Sequence, residues 1–157
     1  MPREIALERF TQELVDLLDE TFEQVRGIYL DRNTSLFETL TTISADEASR
    51  PVSDTCASIA AQVKHVRVYL EVIDRALQGH DVGKIDWAAS WRIEHVTLAE
   101  WESLKEQLRA AHQDVLATMT RAETWDDEDS IGDALAALVH TAYHLGEIRQ
   151  ALCVVKR

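Results

Sequence analysis

The sequence predicts an all-α fold, a four-helix bundle, on three observations. Four segments carry apolar residues at helical spacing. Only 5 Gly and 2 Pro stand in 157 residues, whereas a β-sandwich or barrel needs a turn roughly every ten residues. A chain of this length, 46% hydrophobic and 28% charged, suffices for one compact domain with a proper core and is too short for two, so a single domain over residues 1–157 is expected.

Phe10, Leu14, Leu17, Thr21, Val25 and Ile28 recur in steps of four and three with acids between them, predicting one amphipathic helix over about residues 3–31. Ser35-Leu36-Phe37-Glu38 and Ser44-Ala45-Asp46-Glu47 both have capping-box spacing, in which a hydroxyl and a carboxylate satisfy each other's backbone N–H groups. A short helix and a loop are expected there. Arg50-Pro51 closes that stretch, because the residue before a proline is pushed out of helical φ/ψ. Ile59, Val63, Val66, Leu70, Ile73 and Leu77 give a second long helix over 54–77, which Gly79 is placed to terminate.

The stretch 79–96 shows no lasting period and holds Trp87 and Trp91. It is the longest loop, and long loops on a rigid scaffold often border a site. Thr97 and Glu100 form a third capping box, after which Leu98, Trp101, Leu104, Leu108, Ala111, Val115 and Met119 mark one face of a third long helix. The acidic run Asp126-Asp127-Glu128-Asp129 favours the start of another helix, because carboxylates are attracted to its positive end. Ile131, Leu135, Leu138, Ala142, Leu145, Ile148 and Leu152 define the apolar stripe of this fourth helix, which ends near Lys156-Arg157, cations at its negative end.

A net charge of -12 repels phosphate backbones and anionic lipid headgroups, which disfavours nucleic-acid and membrane-surface partners. No run of apolar residues is long enough for a membrane span. Met1-Pro2-Arg3-Glu4-Ile5 opens in mixed charge without a signal-peptide pattern, and Cys56 and Cys153 sit in apolar helical patterns as small hydrophobes. A cytoplasmic protein is expected. A Gly-rich phosphate loop, a Cys-x-x-Cys pair and a paired Glu-x-x-His set are all missing from the sequence, which argues against nucleotide hydrolysis, dithiol redox chemistry and di-iron chemistry.

The six histidines carry the chemical signal. His140 and His144 lie four apart on the fourth helix, so their imidazoles project from one side a turn apart, the spacing with which two ligands grip one metal ion. On a helical wheel they flank the apolar stripe, and His65 flanks that of the second helix, so three imidazoles from two helices can converge. The competing reading is a wet helix edge with no ligand role. His80, His95 and His112 each stand alone in a loop or on a mixed face and read as ordinary histidines.

The run His140-Thr141-Ala142-Tyr143-His144-Leu145-Gly146-Glu147-Ile148-Arg149-Gln150 resembles the signature of the DinB-like superfamily, the DinB/YfiT-like metalloenzymes, in which a His-x-x-x-His pair precedes a small residue and Ile-Arg on the last helix. His65 on the second long helix, the Trp87 to Trp91 crossover and Trp101 at the start of the third helix have counterparts in that family. The resemblance implies an up-down-down-up bundle, usually a homodimer, holding a divalent metal through three histidines, which here are His65, His140 and His144. Relatives of that kind bind zinc or nickel and include transferases and isomerases dependent on mycothiol, bacillithiol or glutathione. Three imidazoles leave a position open, where a metal lowers the pKa of a thiol or water and supplies a nucleophile.

Several neighbours have two readings each. Glu147 either orients a ligand histidine or acts as a base, or is an exposed carboxylate paired with an arginine. Arg149 is a structural partner or an anion handle. Gly146, costly in a helix interior, is explained by close helix approach. Tyr69 and Tyr143 reach the metal pocket or merely cover the helix flanks, and Trp87 and Trp91 line the substrate mouth or pin the loop. Val139 and Val154 suit a helical dimer interface.

The leading expectation is a metal-dependent transferase or hydrolase acting on a small molecule through a thiol or water. A non-catalytic, stress-associated metal-binding dimer is the alternative, and a metal-free helical interaction module is the third.

Overall fold

A computed structural model describes residues 5–156, and these are helical without a strand. The helices are α1 (Leu7–Phe22), α2 (Leu36–Leu40), α3 (Ala45–Ser49), α4 (Ile59–Leu77), α5 (Trp87–Ser90), α6 (Leu98–Arg121) and α7 (Ser130–Val155). The four long ones form a helical bundle in which α1 and α4 each pack against both α6 and α7. Their inward faces build one apolar core, with Leu18, Phe22, Leu70, Trp101, Leu108, Leu145 and Ile148 among its large, fully buried members. Each such side chain contributes about 1.5–3 kcal/mol relative to leaving it exposed.

The first helix is shorter than its periodicity predicts. It stops at Phe22, and residues 3 and 4 of the expected span lie outside the described residues. The cause is Glu20, a buried carboxylate that accepts hydrogen bonds from the backbone N–H groups of Arg26, Ile28, Tyr29 and Leu30 at 2.7 to 2.9 Å. These donors would otherwise need helix carbonyls, and Gly27, at φ 86, takes the left-handed conformation that lets the chain wrap around the carboxylate. Val25 and Ile28 therefore belong to a folded-back loop rather than to the helix, and Ile28 is exposed.

The region 33–50 forms two short helices where one helix and a loop are expected, because both serines cap. Ser44 accepts from the Glu47 N–H at 3.3 Å while the Glu47 carboxylate accepts from the Ser44 N–H at 2.8 Å. At Ser35 the backbone N–H donates to Glu38 at 3.2 Å, and the Ser35 hydroxyl, 3.0 Å from the Glu23 carbonyl, ties α2 to the end of α1. The third box, Thr97 with Glu100, is complete. Trp101, buried one turn into α6, donates its indole N–H to the Ile43 carbonyl at 2.9 Å and fixes the α2–α3 turn to the bundle.

Helix α4 starts at Ile59, capped by Ser58, five residues later than the sequence pattern suggests. Its end is as predicted: Gly79 sits at φ 75, with Gly79 N–H bonded to Ala76 O at 2.8 Å and His80 N–H to Arg75 O at 2.9 Å. That pair of bonds is the Schellman arrangement. The crossover from 79 to 96 carries the short helix α5, capped by Asp86, inside the expected loop.

Helix α7 has two apolar stripes, and the buried one is not quite the one the periodicity selects. Ala134, Ala137, Thr141, His144, Leu145, Ile148, Ala151 and Val155 face inward, while Ile131 and Leu135 are exposed. Small alanines in the first half of α7 carry its inner face, and periodicity weights bulk, so it favours the larger outer residues. The basic end is represented by Lys156, the residue after α7; Arg157 lies outside the described residues.

Candidate metal centre

Helices α4 and α7 pack together, and that contact brings the three histidines to one place. One ring nitrogen from each of His65, His140 and His144 lies within 4.8 Å of the others, the group being largely buried. The His65 and His140 Nε2 atoms stand 3.1 Å apart. Two nitrogens bound to one tetrahedral ion at ordinary zinc–imidazole bond lengths stand roughly 3.3 Å apart. The donor set therefore fits a divalent transition metal.

Neighbouring groups fix the tautomers. Ser90 donates its only hydroxyl proton to the Trp87 carbonyl at 2.6 Å, so at the 2.7 Å contact with His65 Nδ1 it is the acceptor. His65 thus carries its proton on Nδ1 and presents the Nε2 lone pair to the centre. At His144 the Nδ1 atom faces two acceptors, the Glu147 carboxylate at 3.0 Å and the Gln62 amide oxygen at 3.3 Å. Its proton is on Nδ1 as well, and Nε2 is the free ligand atom. His140 Nδ1 is buried with no hydrogen-bond partner.

Aromatic rings wall the cluster. Trp91 stacks on His65 at 3.9 Å and Tyr69 on His140 at 3.7 Å, which holds both imidazole planes and keeps water from their faces. Trp87 meets His65 edge-on at 6.0 Å. Lys64 donates to the Ala89 and Arg92 carbonyls at 3.0 and 3.1 Å, so α4 grips the α5 crossover at the residue beside His65 as well as through it.

Electrostatics keeps the ligands ready. Burial, with the nearby His144, lowers the His65 pKa to about 4, and burial with His144 and His65 lowers that of His140 to about 4. Burial lowers His144 too, against the upward pull of the Glu147 carboxylate. Neutral imidazole, the form that binds metal, is the stable state near neutral pH. Burial raises the Tyr69 phenol, while the hydrogen bond to Glu147 raises that of Tyr143.

No family model, curated protein or solved structure matches the chain. The arrangement of residues is what bears on function.

The structure brings some of the sequence-predicted residues together and not others. His65, His140 and His144 come together. Glu147 touches His144 and accepts from the Tyr143 hydroxyl at 2.7 Å, a geometry suited to orienting the histidine. Arg149 is a structural partner, donating to Thr39 on α2 at 3.3 Å. Gly146 corrects its expectation: a Cβ there would meet nothing within 4 Å, so no helix approaches closely and the glycine instead borders an open cleft. His80 and His95 are exposed; His112 is buried in the core and stacked on Phe22 at 4.1 Å, with neither ring nitrogen hydrogen-bonded. Gln62 and Ser90 are the functional residues that sequence reasoning misses. Gln62 lies one turn before His65 on the same helix, a spacing that could have flagged it; nothing in the sequence marks Ser90.

Among the described residues no helix is long and apolar enough to cross a membrane.

Proposed function

We propose that the chain is a DinB-like metalloprotein, an up-down-down-up bundle in which His65, His140 and His144 hold a zinc or nickel ion that serves a transferase acting through a low-molecular-weight thiol. The observation that supports this is the burial of three neutral imidazoles at one place, two of them, His65 and His144, with their protons held on Nδ1 by Ser90, Gln62 and Glu147. A purely structural site is usually closed by a fourth protein ligand, and the described residues bring only these three together. When bound, such an ion acidifies a thiol or water in its open position and so makes a nucleophile available near neutral pH.

The chain's own residues set the conditions for that chemistry. Ser90 and Glu147 orient two of the three ligands by accepting their Nδ1 protons, and the carboxylate makes His144 the more basic donor. Trp91 and Tyr69 exclude water from the imidazole faces and lower the local dielectric. Exposed Leu135 and Val139 on the outer face of α7 support a homodimer built on that helix.

The test is turnover. Zinc- or nickel-loaded protein, given a thiol and an aryl or alkyl halide acceptor, is expected to consume free thiol faster than metal-free protein or the His140→Ala variant. Metal uptake without any acceleration over a panel of thiols and acceptors, or with water as the nucleophile, favours the non-catalytic metal-binding dimer.

A further inference from the structure

We propose that a cleft beside the histidine centre binds an uncharged, largely apolar small molecule. The cleft encloses about 790 Å³, inside the range of roughly 300–1,000 Å³ typical of small-molecule sites. It is bounded by the segment that leads into α4 and by the C-terminal half of α7, with Val52, Ala57, Trp91 and Val154 as apolar wall. Gly146 contributes no side chain to that wall, which leaves the cleft open along α7.

The cleft and the histidine centre share walls. Gln62 and Glu147 contact His144, Trp91 stacks on His65, and all three line the cleft. A molecule lodged there lies against the groups that orient the ligands. As a substrate cleft it rests on the metal-centre reading above; as a ligand cleft it does not.

Charge decides the class of occupant. The lining contains neither lysine nor arginine, and its polar members, such as Thr55 and Gln150, are neutral apart from Glu147. That carboxylate already accepts from His144 and Tyr143 and repels a second anion. Arg149, two residues further on, is hydrogen-bonded to Thr39 instead. The net charge of -12 adds a repulsive field at longer range. An entering carboxylate or phosphate would lose water and meet no cation in return, whereas a neutral molecule loses little and gains contact with Trp91 and the aliphatic wall. Among thiols and their acceptors, those without a free carboxylate are selected.

Cys56 lines the cleft and is exposed, so its alkylation reports occupancy. In a Cys153→Ser background it is the sole cysteine of the chain. The rate of Cys56 alkylation by iodoacetamide is measured in metal-free protein with hippuramide and with hippurate, two probes of the same shape that differ by one negative charge. Hippuramide is expected to protect at a concentration roughly tenfold lower than hippurate. Gly146→Leu, whose Cβ enters open space and whose side chain takes up part of the cleft, should weaken protection. Gln150→Lys, which brings in a cation, should allow hippurate to protect. Protection by hippurate equal to or better than that by the amide in the Cys153→Ser background overturns the proposal, as does no protection by either probe at millimolar concentration. Because the readout needs no metal, protection that persists in protein unable to take up zinc or nickel locates the failure in the metal reading alone.

Discussion

Glu20 shows how much one side chain decides. Burial pushes its carboxyl up, but the backbone N–H bonds from Tyr29, Ile28, Leu30 and Arg26 together outweigh burial and hold its pKa at about 2, below the ordinary 4.5. A carboxyl depressed in the folded state stabilises fully above its unfolded value, and that contribution is lost as pH falls from about 4.5 toward 2. Glu20→Ala removes the shared acceptor of four backbone N–H groups and is expected to lower the melting temperature at neutral pH by roughly 10 °C. The variant should also be less acid-sensitive than the parent in that window, which thermal melts across pH would reveal. At the metal centre Ser90 plays the comparable part. Ser90→Ala removes the acceptor for the His65 Nδ1 proton, and a competition titration should show zinc affinity weaker by roughly tenfold with the fold intact. Unchanged affinity would mean that Trp91 stacking alone positions His65.

Helices are where the sequence is most legible, and their ends where it is least. The stripes on α4 and α6 are read nearly in full: Ile59, Val63, Val66, Leu70 and Ile73 on one, Trp101, Leu104, Leu108, Ala111, Val115 and Met119 on the other, are all buried. The end of α1 is not legible, because apolar spacing continues past Phe22 while the chain has already turned to wrap Glu20, an interaction with no local sequence signature. The inner face of α7 is misjudged in its first half for a different reason: Ala134 and Ala137 pack inward while Ile131 and Leu135 are left outside. Two glycines separate the physical roles of that residue. Gly79, at φ 75 in the cap of α4, is costly to replace, and Gly79→Ala should destabilise by about 1 kcal/mol. Gly146, in the middle of α7 with open space around it, should behave oppositely, Gly146→Ala stabilising by up to about 1 kcal/mol. Urea denaturation of both variants checks the pair; destabilisation by Gly146→Ala would restore the close-approach explanation.

For the whole molecule, the bundle explains why residues 75 apart in sequence can share one ion. The α4–α7 contact brings His65 to the pair spaced one turn apart on α7, and the α5 crossover, held by Lys64 and Ser90, covers the cluster. The His140 and His144 pair is legible from sequence because a His-x-x-x-His spacing obeys helical geometry, a local rule, whereas His65 is reached only through its place beside the apolar stripe of its own helix and through the family resemblance. The supports of these ligands are less so: the place of Gln62 one turn before His65 is a local signal, but its contact with His144, like that of Ser90 with His65, is tertiary. The adjoining cleft is invisible for the same reason: it is made where separate segments fail to fill space.

The central claim is that His65, His140 and His144 hold a metal, and elemental analysis of protein purified without a histidine tag tests it most directly. About one equivalent of zinc or nickel per chain, lost in His144→Ala with the helical spectrum unchanged, is the predicted result for an open three-imidazole site. Protein that is free of transition metal and takes up neither added zinc nor added nickel would contradict the claim and leave a helical interaction module.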